Sequence, residues 1–329
     1  MRIAIFTIVL LFAVAQQCQW CRGEGQELAV TPELERCVTR GLDFLARTQQ
    51  ENGAWRESCG NYAGVVGLAV LAFLAHGDLP DEGKYGQTIR RAVSYILSQQ
   101  AENGMLCKQG GMYSHGFATL ALAEVYGQMK DENVGKALKR ATDLLVTSQN
   151  QLGGWRYSLN SSDADTTVTG AQAMALRAAA NAGMEVPVST VKRIAAYYKS
   201  SFCPGGGFGY TGPDSANCPR SGIGLLVLSL SGEYRSPEAK ATADWLLNSS
   251  FNESGYFYYM CYYCSQAMFQ AGGKYWRHWN TMMTPALIAM QQDDGSWPPN
   301  RCSSGPIGGT AFALLSIEIN YNYLPIYQR

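Results

Sequence analysis

The sequence predicts an all-α fold, an α6/α6 toroid in which about six helix hairpins close into a ring. Three observations predict it. Turn glycines recur at Gly53, Gly104, Gly153, Gly206, Gly255 and Gly295, spaced by 51, 49, 53, 49 and 40, and Gln49, Gln99 and Gln149 stand 50 apart. A period near 50 with two helices per unit marks a repeat array. Within each unit the first helix carries one apolar stripe, while the second is apolar on almost every face and must be buried. No polar capping repeat is present. An open superhelix would leave terminal apolar helices in water, so closure into a ring, with amphipathic helices outside and apolar ones inside, is the favoured solution.

The first outer helix starts at Thr31-Pro32-Glu33, an N-cap hydroxyl followed by Pro and an acid. Its stripe is Leu34, Cys37, Val38, Leu42 and Leu45, and the apolar partner runs from Tyr62 to Ala75. The second pair has Ile89, Val93, Ile96 and Leu97 outside and Gly116 to Tyr126 inside; the third has Leu138, Ala141 and Leu145 outside and about Thr166 to Ala180 inside. The fourth outer helix lies near Val188 to Ser200, with Gly222 to Leu230 inside. The fifth starts at Ser236-Pro237-Glu238 and reaches Gly255-Tyr256-Phe257. The sixth pairs Tyr275 to Gln291 with Gly308 to Ile319. Between the helices of a pair, the Gln amide is expected to serve orphan carbonyls at the outer helix's end, the Gly to allow a left-handed exit, and the aromatic to pack back over the turn.

Of 329 residues, 47% are apolar and only 16% charged, against about a quarter in average proteins. Lys+Arg and Asp+Glu are both 26, so no basic face points to nucleic acid. Arg2, the apolar run Ile3 to Val14 and Ala13-Val14-Ala15 read as a secretory signal over residues 1–15, followed by a linker over 16–30 and the ring over 31–329. A secreted or periplasmic protein follows, with no membrane span in its mature form. Ten cysteines in an exported chain read as disulfides, with Cys203/Cys218 across one loop and Cys59/Cys107 between neighbouring repeats as candidates. The pairs Cys18/Cys21 and Cys261/Cys264 fit local bridges better than a shared zinc, so no metal is expected. Asn160, Asn248 and Asn252 stand in Asn-x-Ser contexts.

Gln, then Gly, then Trp after an amphipathic helix resembles the Gln-Trp repeats of squalene and terpene cyclases. The chain is similar, from Thr31 onward, to the prenyltransferase/squalene-cyclase repeat superfamily. The turns at Trp55, Trp155 and Trp297 carry the motif, while Leu106, Phe208 and Phe257 replace Trp elsewhere. The resemblance implies a toroid but not a reaction, since that fold also hosts protein prenyltransferases and thioester proteins.

Class II cyclases carry Asp-x-Asp-Asp, and Asp163-Ala164-Asp165-Thr166 departs from it only at the last position. The resemblance makes Asp165 the proton donor and Asp163 its neighbour. A donor needs a raised pKa, which burial beside a second carboxylate supplies. Capping of the third inner helix by Asp165 or Thr166 explains the same residues structurally. The aromatic run that includes Tyr258, Tyr259 and Tyr262 offers π-faces to a cation, or packing at the ring mouth. Trp155 and His115 are further candidates at the mouth or in the cavity, His115 also reading as a structural histidine. Asp214 and Cys218 have the wrong spacing for a prenyltransferase zinc, and no thioester Gly-Cys-Gly-Glu-Gln occurs. No phosphate loop or other cofactor motif is present. Three readings follow: a cyclase-like toroid acting on an isoprenoid, a non-catalytic scaffold for an apolar small molecule or a polypeptide, and a carbohydrate-active toroid.

Overall fold

The computed structural model describes residues 30–57, 60, 62–251, 255–299 and 305–327. The expected signal segment and the pair Cys18/Cys21 lie outside them, as do Cys59, Cys302 and Asn252. The described residues form twelve α-helices and no strand. Outer and inner helices alternate: α1 (Pro32–Thr48), α2 (Ala63–His76), α3 (Gly86–Ser98), α4 (Gly111–Met129), α5 (Glu132–Thr147), α6 (Thr166–Asn181), α7 (Val188–Ser200), α8 (Cys218–Leu230), α9 (Pro237–Leu247), α10 (Phe257–Ala271), α11 (Gly273–Met290) and α12 (Pro306–Ile317). Each inner helix packs on the next, α2 on α4, then α6, α8, α10 and α12, and α12 packs back on α2. The ring is closed. The Tyr-rich run is the inner helix α10 itself, and two short 3-10 turns, Glu318–Tyr321 and Pro325–Tyr327, extend the chain beyond α12.

Side-chain caps explain where the outer helices α1, α5 and α9 begin. Thr31 Oγ1 accepts from the Leu34 N–H at 3.2 Å, and Ser236 Oγ accepts from Ala239 in the same way. Inner helices approach so closely that small residues are required between them. A Cβ on Gly67 of α2 would meet the Phe117 carbonyl oxygen of α4 at 2.7 Å, and one on Gly64 the Ser114 backbone at the same distance.

The turn chemistry differs from expectation in two respects. In the second repeat the working glutamine is Gln100, because each acts on the residue four positions later: Gln49 on Gly53, Gln100 on Gly104, Gln149 on Gly153 and Gln291 on Gly295. Gln99 instead donates to Ser98. Nor does the amide cap its own helix. Its second N–H reaches a carbonyl near the start of the following outer helix: Thr88, Ala137 and Thr190, at 2.9, 2.9 and 3.1 Å. In the last repeat the partner is Cys37 of α1, at 2.8 Å, so this bond ties the ends of the ring together. The turn glycine is required twice over. Gly153 has φ +90, and a Cβ there would meet the Arg193 carbonyl oxygen at 2.4 Å. The aromatic does pack back: the indole N–H of Trp55 and of Trp297 donates to Leu45 and Leu287 on the preceding outer helix, at 2.8 and 2.7 Å.

Cys203 and Cys218 are unpaired, contrary to expectation. Cys203 is held in a tight turn by its backbone bond to Gly207, while Cys218 opens α8 beside α10, where the Cys264 thiol donates to its carbonyl at 3.3 Å. Cys37, Cys107, Cys261 and Cys264 are also unpaired. Burial pushes the Cys37 thiol up to about 12, which leaves it inert as a nucleophile. Among the described residues no helix is long and apolar enough to cross a membrane, and no cluster of three metal-ligating side chains occurs.

Candidate functional site

Because every unit runs outer helix, turn, inner helix, all six inner helices begin at the same end of the ring. Their first turns surround a cavity of about 740 Å³, within the usual range for small-molecule sites. Each contributes to its wall: Gly64 and Val65 from α2, Tyr113 and Ser114 from α4, Thr167 from α6, Pro219 and Arg220 from α8, Tyr259 from α10, Gly308 and Phe312 from α12. Six helix N-termini present partial positive charge to this space.

The walls are rich in aromatic rings. Tyr62, Tyr113, Phe117, Tyr157, Tyr210, Tyr256, Tyr259 and Phe312 all line them. Tyr113 on α4 and Tyr259 on α10, helices on opposite sides of the ring, join hydroxyls at 3.0 Å across the lumen. Phe117 lies edge-on to both Tyr262 and Phe312, which fills the ring below them. A cation held here would meet several π-faces.

Two buried carboxyls stand at this end of the ring. Asp165 is the N-cap of α6: its Oδ1 accepts from the N–H groups of Thr167 and Val168, at 2.9 and 2.8 Å, and from the Thr167 hydroxyl at 2.6 Å. It is fully buried, and its Oδ2 has no hydrogen bond; the nearest charge is Arg156 Nε at 3.6 Å. Burial raises the carboxyl's pKa, against the pull of these hydrogen bonds and of Arg156. Thr167 reaches the cavity wall, so its hydroxyl links the buried Asp165 to the space. Asp163 is 63% exposed and pairs with Arg156 Nη1 at 3.0 Å. The guanidinium therefore bridges the two aspartates, and its flat face lies over Tyr157 and Tyr210, at 5.5 and 5.3 Å.

The second carboxyl, Glu57, was not singled out from the sequence. It comes from the first turn and reaches α12, whose N-cap is Gly305 and has no side chain to offer. Glu57 Oε1 accepts from the Gly308 N–H at 2.7 Å. The residue is only 4% exposed, lines the cavity, and leaves Oε2 without a hydrogen bond. Burial raises its pKa, while the Gly308 and Ile307 amides lower it. A shared signal was available. Glu57, Tyr157, Tyr210 and Tyr259 each follow a turn aromatic by two positions, after Trp55, Trp155, Phe208 and Phe257, and each lines the cavity.

The other sequence candidates are placed as follows. Tyr259 lines the cavity. Tyr258 and Tyr262 are buried behind the walls, the Tyr262 hydroxyl pointing at Met174 Sδ, 4.0 Å away. Trp155 is buried in its own turn, where its indole N–H donates to Ser148. His115 is fully buried and its Nδ1 accepts from the Leu106 N–H at 3.1 Å. Hydroxyls do the same elsewhere: Thr169 for Trp155, Ser221 for Phe208 and Thr310 for Trp297. His115 thus locks the second turn, and burial pushes its pKa down to about 4.

No family profile matches the chain, and no curated protein does. Solved structures do. An α-1,6-mannanase of Salegentibacter, an inactive variant in complex with α-1,6-mannotriose, superposes with a TM-score of 0.68 at 9% identity, over 86% of this chain and 98% of the other. The type II terpene cyclase MstE from Scytonema gives 0.65 at 15% identity, over 89% and 100%. A variant of the same cyclase in complex with its substrate, geranylgeranyl dihydroxybenzoate, gives 0.63 at 15%, over 89% and 98%. At these identities the likeness is one of fold: this chain is a toroid like that of a terpene cyclase and of a mannanase.

Proposed function

We propose that this is an exported, terpene-cyclase-like enzyme that takes up an isoprenoid chain in the cavity at the mouth of its ring and starts its cyclisation by protonation, with Asp165 as the proton source. The observation that carries the reading is the pairing of an aromatic cavity with a buried, raised-pKa carboxyl one hydroxyl behind its wall. The Thr167 hydroxyl, which at rest donates to Asp165 Oδ1, turns towards the terminal alkene and gives up its own proton as its oxygen takes the proton of Asp165. Aromatic faces then stabilise the tertiary cation, where water would quench it. Asp163 acts through Arg156, which it holds in place beside Asp165.

Glycoside hydrolysis fits the walls less well. It needs two carboxyls about 5 to 9.5 Å apart. The two buried carboxyls cap α6 and α12, which are three steps apart around a ring of six. They stand on opposite walls, and each is committed through one oxygen to a helix N-terminus rather than paired with the other.

The test is to incubate wild type and Asp165→Asn with a panel of polyprenes and prenyl diphosphates and to read products by gas chromatography. Cyclised product from wild type, reduced at least a hundredfold in the variant, is expected. Equal turnover by both proteins overturns Asp165 as donor. Binding without product leaves a carrier, the scaffold reading.

A further inference from the structure

A proton-initiated cyclisation that ends in an olefin needs a second group, since its final cation must lose a proton. We infer that Glu57 accepts the proton that ends the reaction, at the opposite side of the cavity from Asp165. This inference rests on the isoprenoid reading above and goes beyond it.

The argument starts from what Glu57 does not need to be. A cap for α12 requires one acceptor, and Oε1 supplies it to Gly308. Ser, Asn or Asp at the N-cap would serve as well, yet that position is Gly305, and a Cβ there would come within 1.8 Å of Glu57 Oε2. The second oxygen is thus accommodated by a missing side chain, is buried, and has no hydrogen bond. Leaving such an oxygen unmet is costly unless a ligand meets it. It belongs to a residue in the wall of the aromatic cavity.

Its position separates it from the acid. Asp165 belongs to α6 and Glu57 serves α12, and the line from Tyr113 on α4 to Tyr259 on α10 runs between them. The electron flow follows this layout. The proton given up by Thr167, replaced from Asp165, and the π pair of the terminal alkene form a C–H bond and leave a tertiary cation. Successive alkene π pairs close rings and carry the cation past the two tyrosines towards α12. There a C–H bond next to the cation breaks. Its electron pair becomes the new double bond and its proton goes to Glu57 Oε2. The net change is an isomerisation, and proton exchange with solvent at the mouth restores both carboxyls. No oxidant or cofactor enters.

The test compares product ratios in wild type, Glu57→Gln and Glu57→Asp. Gln keeps an oxygen for the Gly308 N–H and loses the basic oxygen, and urea unfolding verifies that the variant is folded. Glu57→Gln is expected to give a ratio of cyclic olefin to water-quenched alcohol at least tenfold lower than wild type. Glu57→Asp is expected to recover part of that ratio. A folding role alone would move the unfolding midpoint and leave the ratio untouched. An unchanged ratio in Glu57→Gln, or in Glu57→Ala should Gln fail to fold, overturns Glu57 as the base and leaves the cyclase reading standing. A wild type inert towards every polyprene brings down that reading, and this inference with it.

Discussion

Replacing Gln291 with Ala tests whether the ring is closed in solution. The Gln291 amide donates to the Cys37 carbonyl of α1 at 2.8 Å and to the Gly295 carbonyl at 3.0 Å. Both bonds are partly shielded from water. Each is worth about 1 kcal/mol net, so truncation is expected to cost about 2 kcal/mol. The internal standard is Gln149→Ala, which removes the same two bonds, to Thr190 and Gly153, from the middle of the chain. Urea unfolding followed by far-ultraviolet circular dichroism gives both values. Equal costs, within about 0.5 kcal/mol, are expected for a closed ring. A cost near 2 kcal/mol for Gln149→Ala with only about 1 for Gln291→Ala, the share of the local Gly295 bond, would refute closure, because the Cys37 bond alone depends on first and last repeats meeting.

Two further substitutions follow from the same packing. Gly295 has φ +87 with the Arg40 carbonyl oxygen 2.3 Å from a Cβ position, so Gly295→Ala is expected to destabilise by about 2 kcal/mol or more. Gly127, inside α4, has nothing nearer than 4.0 Å at its Cβ position, so Gly127→Ala is expected to stabilise by about 0.5–1 kcal/mol in the same melts. Glu124 is buried with neither oxygen hydrogen-bonded, and burial pushes its pKa up from 4.5 to about 8. Between these values the folded chain keeps a proton that the unfolded chain gives up. Wild type therefore loses this group's contribution as pH rises from about 4.5 to about 8. Glu124→Gln is expected to match wild type near pH 4.5 and to exceed it by on the order of 3 kcal/mol at pH 7, read as the difference between their urea midpoints at each pH.

The fold was legible because its determinants are periodic. Turn glycines, apolar inner helices and cap-Pro-acid starts recur at a fixed interval, and each is a local requirement of the backbone. Sequence alone does not separate Gln99 from Gln100, because adjacent glutamines are equivalent by composition; only the four-residue step to Gly104 distinguishes them. The Cys203/Cys218 pairing fails because nearness in sequence across a loop does not say where the two thiols point, one in the turn after α7 and the other at the start of α8. Asp165 was legible as a cap and as a buried carboxyl, since both follow from its place before an apolar helix. Glu57 was not, because its partner lies 251 residues away on α12 and exists only once the ring closes. Tyr258 and Tyr259 are neighbours in sequence, yet only Tyr259 lines the cavity; the rotation of α10 decides which one does.

The most direct measurement of the central claim is the fate of one solvent proton. Wild-type protein is incubated with polyprene in deuterium oxide, and the product is analysed by gas chromatography with mass detection. Protonation from an exchangeable carboxyl predicts a cyclic product carrying one deuterium, in the ring methylene next to the gem-dimethyl carbon where the reaction began, and no such product from Asp165→Asn. A cyclic product without deuterium, or one formed equally by the variant, would contradict the account.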